Sequence, residues 1–234
     1  MLMTVSERIR LELSGWQWWE IIYLLVCTGA IGVISAILGG DNLGIASAVA
    51  GTLYTLLAGK GKISCYFFGV FNSVTYGYIA YSQQLFGDAM LNWGWYAPMM
   101  IVGIFCWRKK RDEQNCIIKN RLSWQCRLDW LLWCIAGILF YAIVLFCLGG
   151  AQPLVDSTTT VLSVAAMILT VKRCVEQWLM WILVNLISVI MWIRVYQNGQ
   201  EHIATLLWWV IMLITGVIFF IQWISEMKRA EKLN

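Results

Sequence analysis

Trp178-Leu179-Met180-Trp181-Ile182-Leu183-Val184-Asn185 reads WxxWxxxN in the middle of a long apolar run. At about 3.6 residues per turn, Trp178, Trp181 and Asn185 fall on one face of a helix. Two indole faces and an amide along one stripe can hold a flat, polar organic molecule. The same residues can equally be interfacial or packing groups, with the amide tying helices together. The rest of the chain weighs one reading against the other.

The surroundings are those of a membrane protein. Of 234 residues, 60% are hydrophobic and 13% charged, and the mean hydropathy is +0.70. A soluble domain carries about 25% charged residues, so most of this chain is expected not to face water. Fifteen Trp and two Pro suit an apolar, helical, interface-rich protein. The net charge of +4 is not a nucleic-acid signal, because the basic residues follow membrane orientation. The eight Cys show no CxxC spacing and mostly lie in apolar runs, which argues against a zinc site or a disulfide framework. The first 15 residues, MLMTVSERIRLELSG, mix charges of both signs and show no cleavable signal pattern, so the first apolar segment is expected to stay.

Apolar spans are expected near 18–38, 44–59, 63–84, 89–107, 129–148, 157–172, 176–196 and 203–224. Most meet the roughly 20 residues needed to cross a bilayer. With the N-terminus in the cytoplasm, sixteen of the 17 basic residues fall on the inner side and only Arg194 on the outer. The expected fold is an all-α integral membrane protein of eight transmembrane helices, with both termini cytoplasmic. The basic loop 108–127 is expected to lie at the headgroup boundary.

Shifted by 113 positions, the chain partly matches itself. Asn72 falls on Asn185, Gln84 on Gln197, Trp95 on Trp208, Met99 on Met212 and Gly103 on Gly216, while Lys60 meets Arg173. The matches define helix triplets 44–107 and 157–224, joined through 108–156 by the basic loop and a linking helix. Residues 1–43, with the first helix, lie outside the pattern, and 225–234 form a cytoplasmic tail. Triplets separated by one helix keep the same orientation, a parallel-repeat transporter plan. The spans 44–59 and 157–172 are short, at about 16 residues, and are repeat mates, a pointer to a central binding site.

There is no nucleophile–base pair, no paired carboxylates and no phosphate-binding glycine loop, so catalysis, a metal and a cofactor are not expected. His202, beside Glu201, reads as a solvated loop residue. Helix interiors lack Asp, Glu, Lys and Arg. Proton-coupled carriers keep such a group at membrane depth, so a facilitator is expected, and not one for a strongly anionic substrate. The candidate binding residues are Phe68, Asn72 and Tyr76 of the third helix and Trp178, Trp181 and Asn185 of the seventh. As repeat mates, Asn72 and Asn185 are expected to face each other. They suit a heteroaromatic ring bearing hydroxyl or carboxamide groups, and a cationic ring gains further from the Trp faces.

Three stretches carry a family resemblance: Lys62-Ile63-Ser64-Cys65-Tyr66-Phe67-Phe68-Gly69 with Asn72; Asn92-Trp93-Gly94-Trp95-Tyr96-Ala97-Pro98-Met99; and Val161 to Thr170, leading through Val175-Glu176-Gln177 into WxxWxxxN. Over roughly 44–224 the chain resembles the PnuC-type bacterial vitamin transporters, which import nicotinamide riboside. The resemblance implies a SWEET-like 3+1+3 core in the bacterial inner membrane, with one extra N-terminal helix. It implies Trp181 and Asn185 as substrate contacts and Trp178 as a supporting member. It further implies facilitated diffusion, with net uptake enforced by a cytoplasmic riboside kinase. Relatives of the same fold carry thiamine or riboflavin, the alternatives on the same architecture. A scaffold or sensor working through the basic loop is the alternative from another class. Assembly into a homo-oligomer is left open.

Overall fold

The computed structural model describes residues 15–37, 42–82, 86–108, 117–147, 149, 153–197 and 203–233. Among them are eight continuous helices and no strand; an isolated parallel bridge joins Asn120 to Cys174. In chain order they are α1 (Trp18–Ile37), α2 (Asn42–Gly59), α3 (Cys65–Ser82), α4, α5 (Trp124–Cys147), α6 (Pro153–Val171), α7 (Gln177–Gln197) and α8 (Ile203–Leu233). The run α4 is built from Phe86–Leu91, a π-helical turn Asn92–Tyr96 and Ala97–Arg108. Five of the helical spans are long and apolar enough to cross a membrane. The segment 109–116 and the pair Glu201–His202 lie outside the described residues.

Two expectations are corrected. The spans 44–59 and 157–172 are not short. Their helices, α2 and α6, run to 18 and 19 residues, and α3 has 18. The hydropathy signal faded early because Asn42 and Asp156 lie inside the first turns, where polar groups satisfy or complement a helix N-terminus. Shortness therefore marks no site. The described part of the basic loop, 117–127, is also not simply laid on a headgroup surface. Its backbone and side chains bond to helix ends, as set out below.

The chain divides into two compact units, one ending at Ile118 and the other beginning at Lys119. In the first, helices meet over small residues. A Cβ at Gly51 would lie 2.9 Å from the Asn72 amide, and one at Gly103 would lie 2.2 Å from the Tyr66 ring. Close approach of this kind is how helices pack where no water drives them together. Tyr66 is fully buried and meets Trp107 edge-on, with centroids 4.9 Å apart. The helix α1 is fastened by an ion pair: Lys60 Nζ lies 2.8 Å from Glu20 Oε2, both side chains nearly buried, and over the Trp16 ring.

In the second unit, Cys134, Leu162, Ala165 and Val184 form a core flanked by Trp130, Val161 and Met180. The helix α5 leaves nearly all its apolar surface outside, with Trp133, Phe140 and Phe146 each 70–76% exposed. A water-soluble protein rarely presents such a face.

The turn before the middle helix is built alike in both units. Gly61 N–H donates to the Ala58 carbonyl and Lys62 N–H to that of Leu57, each at 2.9 Å. Arg173 N–H donates to Thr170 and Cys174 N–H to Leu169, again at 2.9 Å. These are Schellman caps, each with its left-handed residue: Gly61 at φ +71° and Arg173 at φ +61°. The following bonds recur too, from Cys65 to Lys62 and Gln177 to Cys174 at 3.2 Å, and from Tyr66 to Ile63 and Trp178 to Val175 at 3.1 Å.

Every one of these pairs is separated by 112 positions, where the sequence identities run at 113. The backbone therefore matches Lys60 with Lys172, Tyr66 with Trp178 and Ser73 with Asn185. Asn72 takes the place of Val184, about 100° around the helix from Asn185. The expectation that Asn72 and Asn185 are equivalent amides is corrected by this register.

Candidate functional site

The WxxWxxxN residues occupy the first half of α7. Its buried face carries Gln177, Trp178, Val184, Asn185, Ser188 and Val189. Trp178 is a packing residue: its ring lies 5.4 Å from that of Phe219 at 30° and 5.7 Å from that of Trp223 at 81°. Its indole N–H is buried without a partner among the described residues.

Trp181 is held from the neighbouring helix. Its indole N–H donates to Thr170 Oγ1 at 3.3 Å, and Thr170 donates onward to the Ala166 carbonyl at 2.8 Å. The ring is half-buried, so its direction is fixed while part of its face stays open. Asn185, one turn on, is buried, and no hydrogen bond joins its amide to another described residue. Gly216 of α8 lies alongside, where a Cβ would sit 4.0 Å from Asn185 Nδ2.

Sequence reasoning missed Gln177. It is 2% exposed, and its Nε2 has no partner among the described residues. Gln177, Trp181 and Asn185 stand at i, i+4 and i+8, so amide, indole and amide follow one another over about 12 Å of helix. The available signal was that spacing. Thr170 and Ser47, which hold Trp181 and Asn72, gave no signal, since each acts from another helix.

The first-unit candidates are placed differently. Asn72 donates from Nδ2 to the Ser47 carbonyl at 2.8 Å and to Ser47 Oγ at 3.2 Å, and Thr75 donates to Ser47 Oγ at 3.0 Å. Its amide nitrogen ties α3 to α2. Phe68, one turn earlier, is half-buried, and Tyr76, one turn later, is 37% exposed. Trp181, Asn185 and Gln177 form one stripe in the second unit, and Phe68, Asn72 and Tyr76 another in the first. Among the described residues no three His, Cys, Asp or Glu side chains converge as metal ligands would.

The sequence pattern of a family described as nicotinamide mononucleotide transporter matches residues 41–225. The chain belongs to that family. The chain is also similar to proteins named nicotinamide riboside transporter PnuC. The Neisseria mucosa protein is 33% identical, covering 97% of this chain and 89% of its own. That of Haemophilus influenzae is 29% identical over 98% and 100% of the two chains. A solved structure described as that of the vitamin B3 transporter PnuC superposes with a TM-score of 0.84, at 31% identity, over 97% of this chain and 99% of its own. The expected PnuC-type resemblance is borne out. As a member of this family, with several helices apolar enough to cross a bilayer, the chain is a multi-pass membrane transporter and not an enzyme.

Proposed function

We propose that this transporter imports nicotinamide riboside by facilitated diffusion, with Trp181 and Asn185 as its principal contacts. The observation that carries this reading is Asn185, a buried residue whose amide bonds to no other described residue, beside an indole whose direction Thr170 fixes. On the same stripe Gln177 Nε2 is buried and unpaired among the described residues; such a donor costs about 1–3 kcal/mol, which a carboxamide or hydroxyl of the substrate would offset. Trp178 supports the indole from the core, and Asn72, Phe68 and Tyr76 remain candidate contacts from the first unit.

The family description names a mononucleotide and the relatives' names a riboside, a difference of one phosphate. Charge favours the riboside. The sequence puts no Lys or Arg in the middle of an apolar span to receive a phosphate, and a buried phosphate without a cation is costly. The same interiors offer no carboxylate for a proton relay. Net uptake then requires the substrate to be trapped, and phosphorylation by a cytoplasmic riboside kinase supplies a charged product that this route rejects.

The architecture that fits is eight spans with both termini cytoplasmic in the bacterial inner membrane, as a 3+1+3 SWEET-like core behind α1. The test is calorimetric titration of the purified protein with nicotinamide riboside, thiamine, riboflavin and nicotinamide mononucleotide. Micromolar binding of the riboside alone is expected. Tighter binding of thiamine or riboflavin would overturn the substrate, and tighter binding of the mononucleotide would overturn the charge argument.

A further inference from the structure

The start of α7 is held from outside its own helix. Glu176, the residue just before it, is buried, and its carboxylate is bonded by groups outside α7. Arg127, in the first turn of α5, donates to Glu176 Oε1 from Nε at 2.9 Å and from Nη2 at 2.7 Å. The Leu122 N–H reaches the same carboxylate, 3.2 Å from Oε1 and 3.3 Å from Oε2. Just upstream, Asn120 N–H donates to the Arg173 carbonyl at 2.8 Å and Val175 N–H to the Asn120 carbonyl at 2.9 Å. Lys119 completes the strap, paired with Glu226 and lying over the ring of Trp223, which packs edge-on against Trp178.

Residues 119–127 thus grip the turn before α7, the first residue of its approach and the aromatic group behind Trp178. Glu176 is five residues from Trp181 and nine from Asn185, about 7 and 13 Å along a stiff helix. A small tilt of the first turn is carried to both.

We infer that Arg127 and Glu176 are positioning residues that set the angle at which α7 presents Trp181 and Asn185 to the substrate. This rests on the riboside reading proposed above. A merely structural ion pair would also be missed on removal, because a buried charge left alone destabilises the fold. The two roles separate in a titration: lost stability lowers the fraction of protein that binds, and lost positioning raises the dissociation constant of the protein that does bind.

The experiment is calorimetric titration of the full chain with nicotinamide riboside for the parent, Arg127→Lys, Arg127→Met, Glu176→Gln and the double variant Arg127→Met/Glu176→Gln. Arg127→Lys guards against loss of folding, since it keeps the charge and gives up the fork. Arg127→Met and Glu176→Gln are each expected to weaken binding about tenfold at unchanged stoichiometry, the double no more than either, as for a coupled pair. Arg127→Lys is expected to fall between. Unchanged affinity with reduced stoichiometry, or additive losses, would overturn the inference. Near-ultraviolet circular dichroism of the ligand-free proteins is the second readout, with Trp178→Phe marking the signal of the Trp178–Trp223 pair. A changed aromatic signal in the clamp variants, with no riboside binding by the parent, would keep the positioning and remove the substrate. An unchanged signal would overturn the positioning whatever the parent binds.

Discussion

The Trp181 indole N–H and the Thr170 hydroxyl oxygen lie 3.3 Å apart, and Thr170 is itself anchored to the Ala166 carbonyl. The bond joins α7 to α6 and leaves the indole one orientation. Thr170→Val keeps the shape and removes the acceptor. It is expected to weaken riboside binding a few-fold with little change in melting temperature. Trp181→Ala removes the ring itself. Aromatic stacking is worth about 0.5–1.5 kcal/mol beyond area burial, so a loss of at least tenfold is expected once burial is added. Titration of both variants checks the order; equal affinities for parent and Trp181→Ala would remove Trp181 from the site.

Asn185 and Gln177 present a sharper contrast: Gln177 Nε2 is buried without a partner among the described residues, and Asn185 is a buried residue whose amide bonds to no other described residue. A buried donor without a partner is a liability to the empty protein of about 1–3 kcal/mol. Asn185→Leu and Gln177→Leu are therefore expected to leave the ligand-free protein as stable as the parent, or to raise its melting temperature. Both are expected to lose riboside affinity, Asn185→Leu the more. Thermal melts with and without riboside read both effects at once. A destabilised Asn185→Leu protein would mean that the amide has a structural partner.

The turn before α7 carries a pH signature. Burial pushes the Cys174 thiol up to about 11 from an ordinary value of 9.0; the Glu176 carboxylate adds to the rise, and Lys172 and Arg173 oppose it. Between those values the folded protein keeps a proton that the unfolded chain releases. Cys174 thus favours the fold most below about pH 9, and that contribution is lost as pH rises toward 11. The melting temperature of the parent is expected to fall more steeply from pH 8 to 11 than that of Cys174→Ala. At pH 8, maleimide is expected to label exposed Cys126 well before Cys174. Parallel pH slopes would place the thiol in water.

The helices were legible because hydropathy and loop charge are properties of single segments. The repeat was legible in outline for the same reason, with polar and glycine identities recurring along the chain. Its register was not. The identities at Asn72 and Asn185 set a shift of 113, whereas backbone bonding around Gly61 and Arg173 runs at 112. A one-residue difference turns a side chain by about 100°, which is enough to separate two amides that appear aligned in text. Trp181 and Asn185 were legible as one stripe because their spacing is local. The strap at Arg127 and Glu176 was not, since 49 residues separate its partners and charge counting treated the whole loop as surface.

Gly103 and Gly216 match at the sequence shift of 113, yet their surroundings differ. A Cβ on Gly103 would meet Tyr66 Cζ at 2.2 Å, in a ring that is fully buried against Trp107. Neither ring can retreat without opening the core of the first unit. A Cβ on Gly216 would meet Ile182 Cγ1 at 3.2 Å, a flexible aliphatic carbon. Overpacking a tight core costs about 1–3 kcal/mol, and Gly103→Ala is expected at the upper end, with a clear drop in melting temperature and in yield. Gly216→Ala is expected to fold nearly as well as the parent, but it crowds the space beside the Asn185 amide and should weaken riboside binding a few-fold. Melts and titrations of the two variants together check the contrast. Equal destabilisation would show that Tyr66 moves freely, and unchanged binding by Gly216→Ala would show that the space beside Asn185 is not used by the ligand.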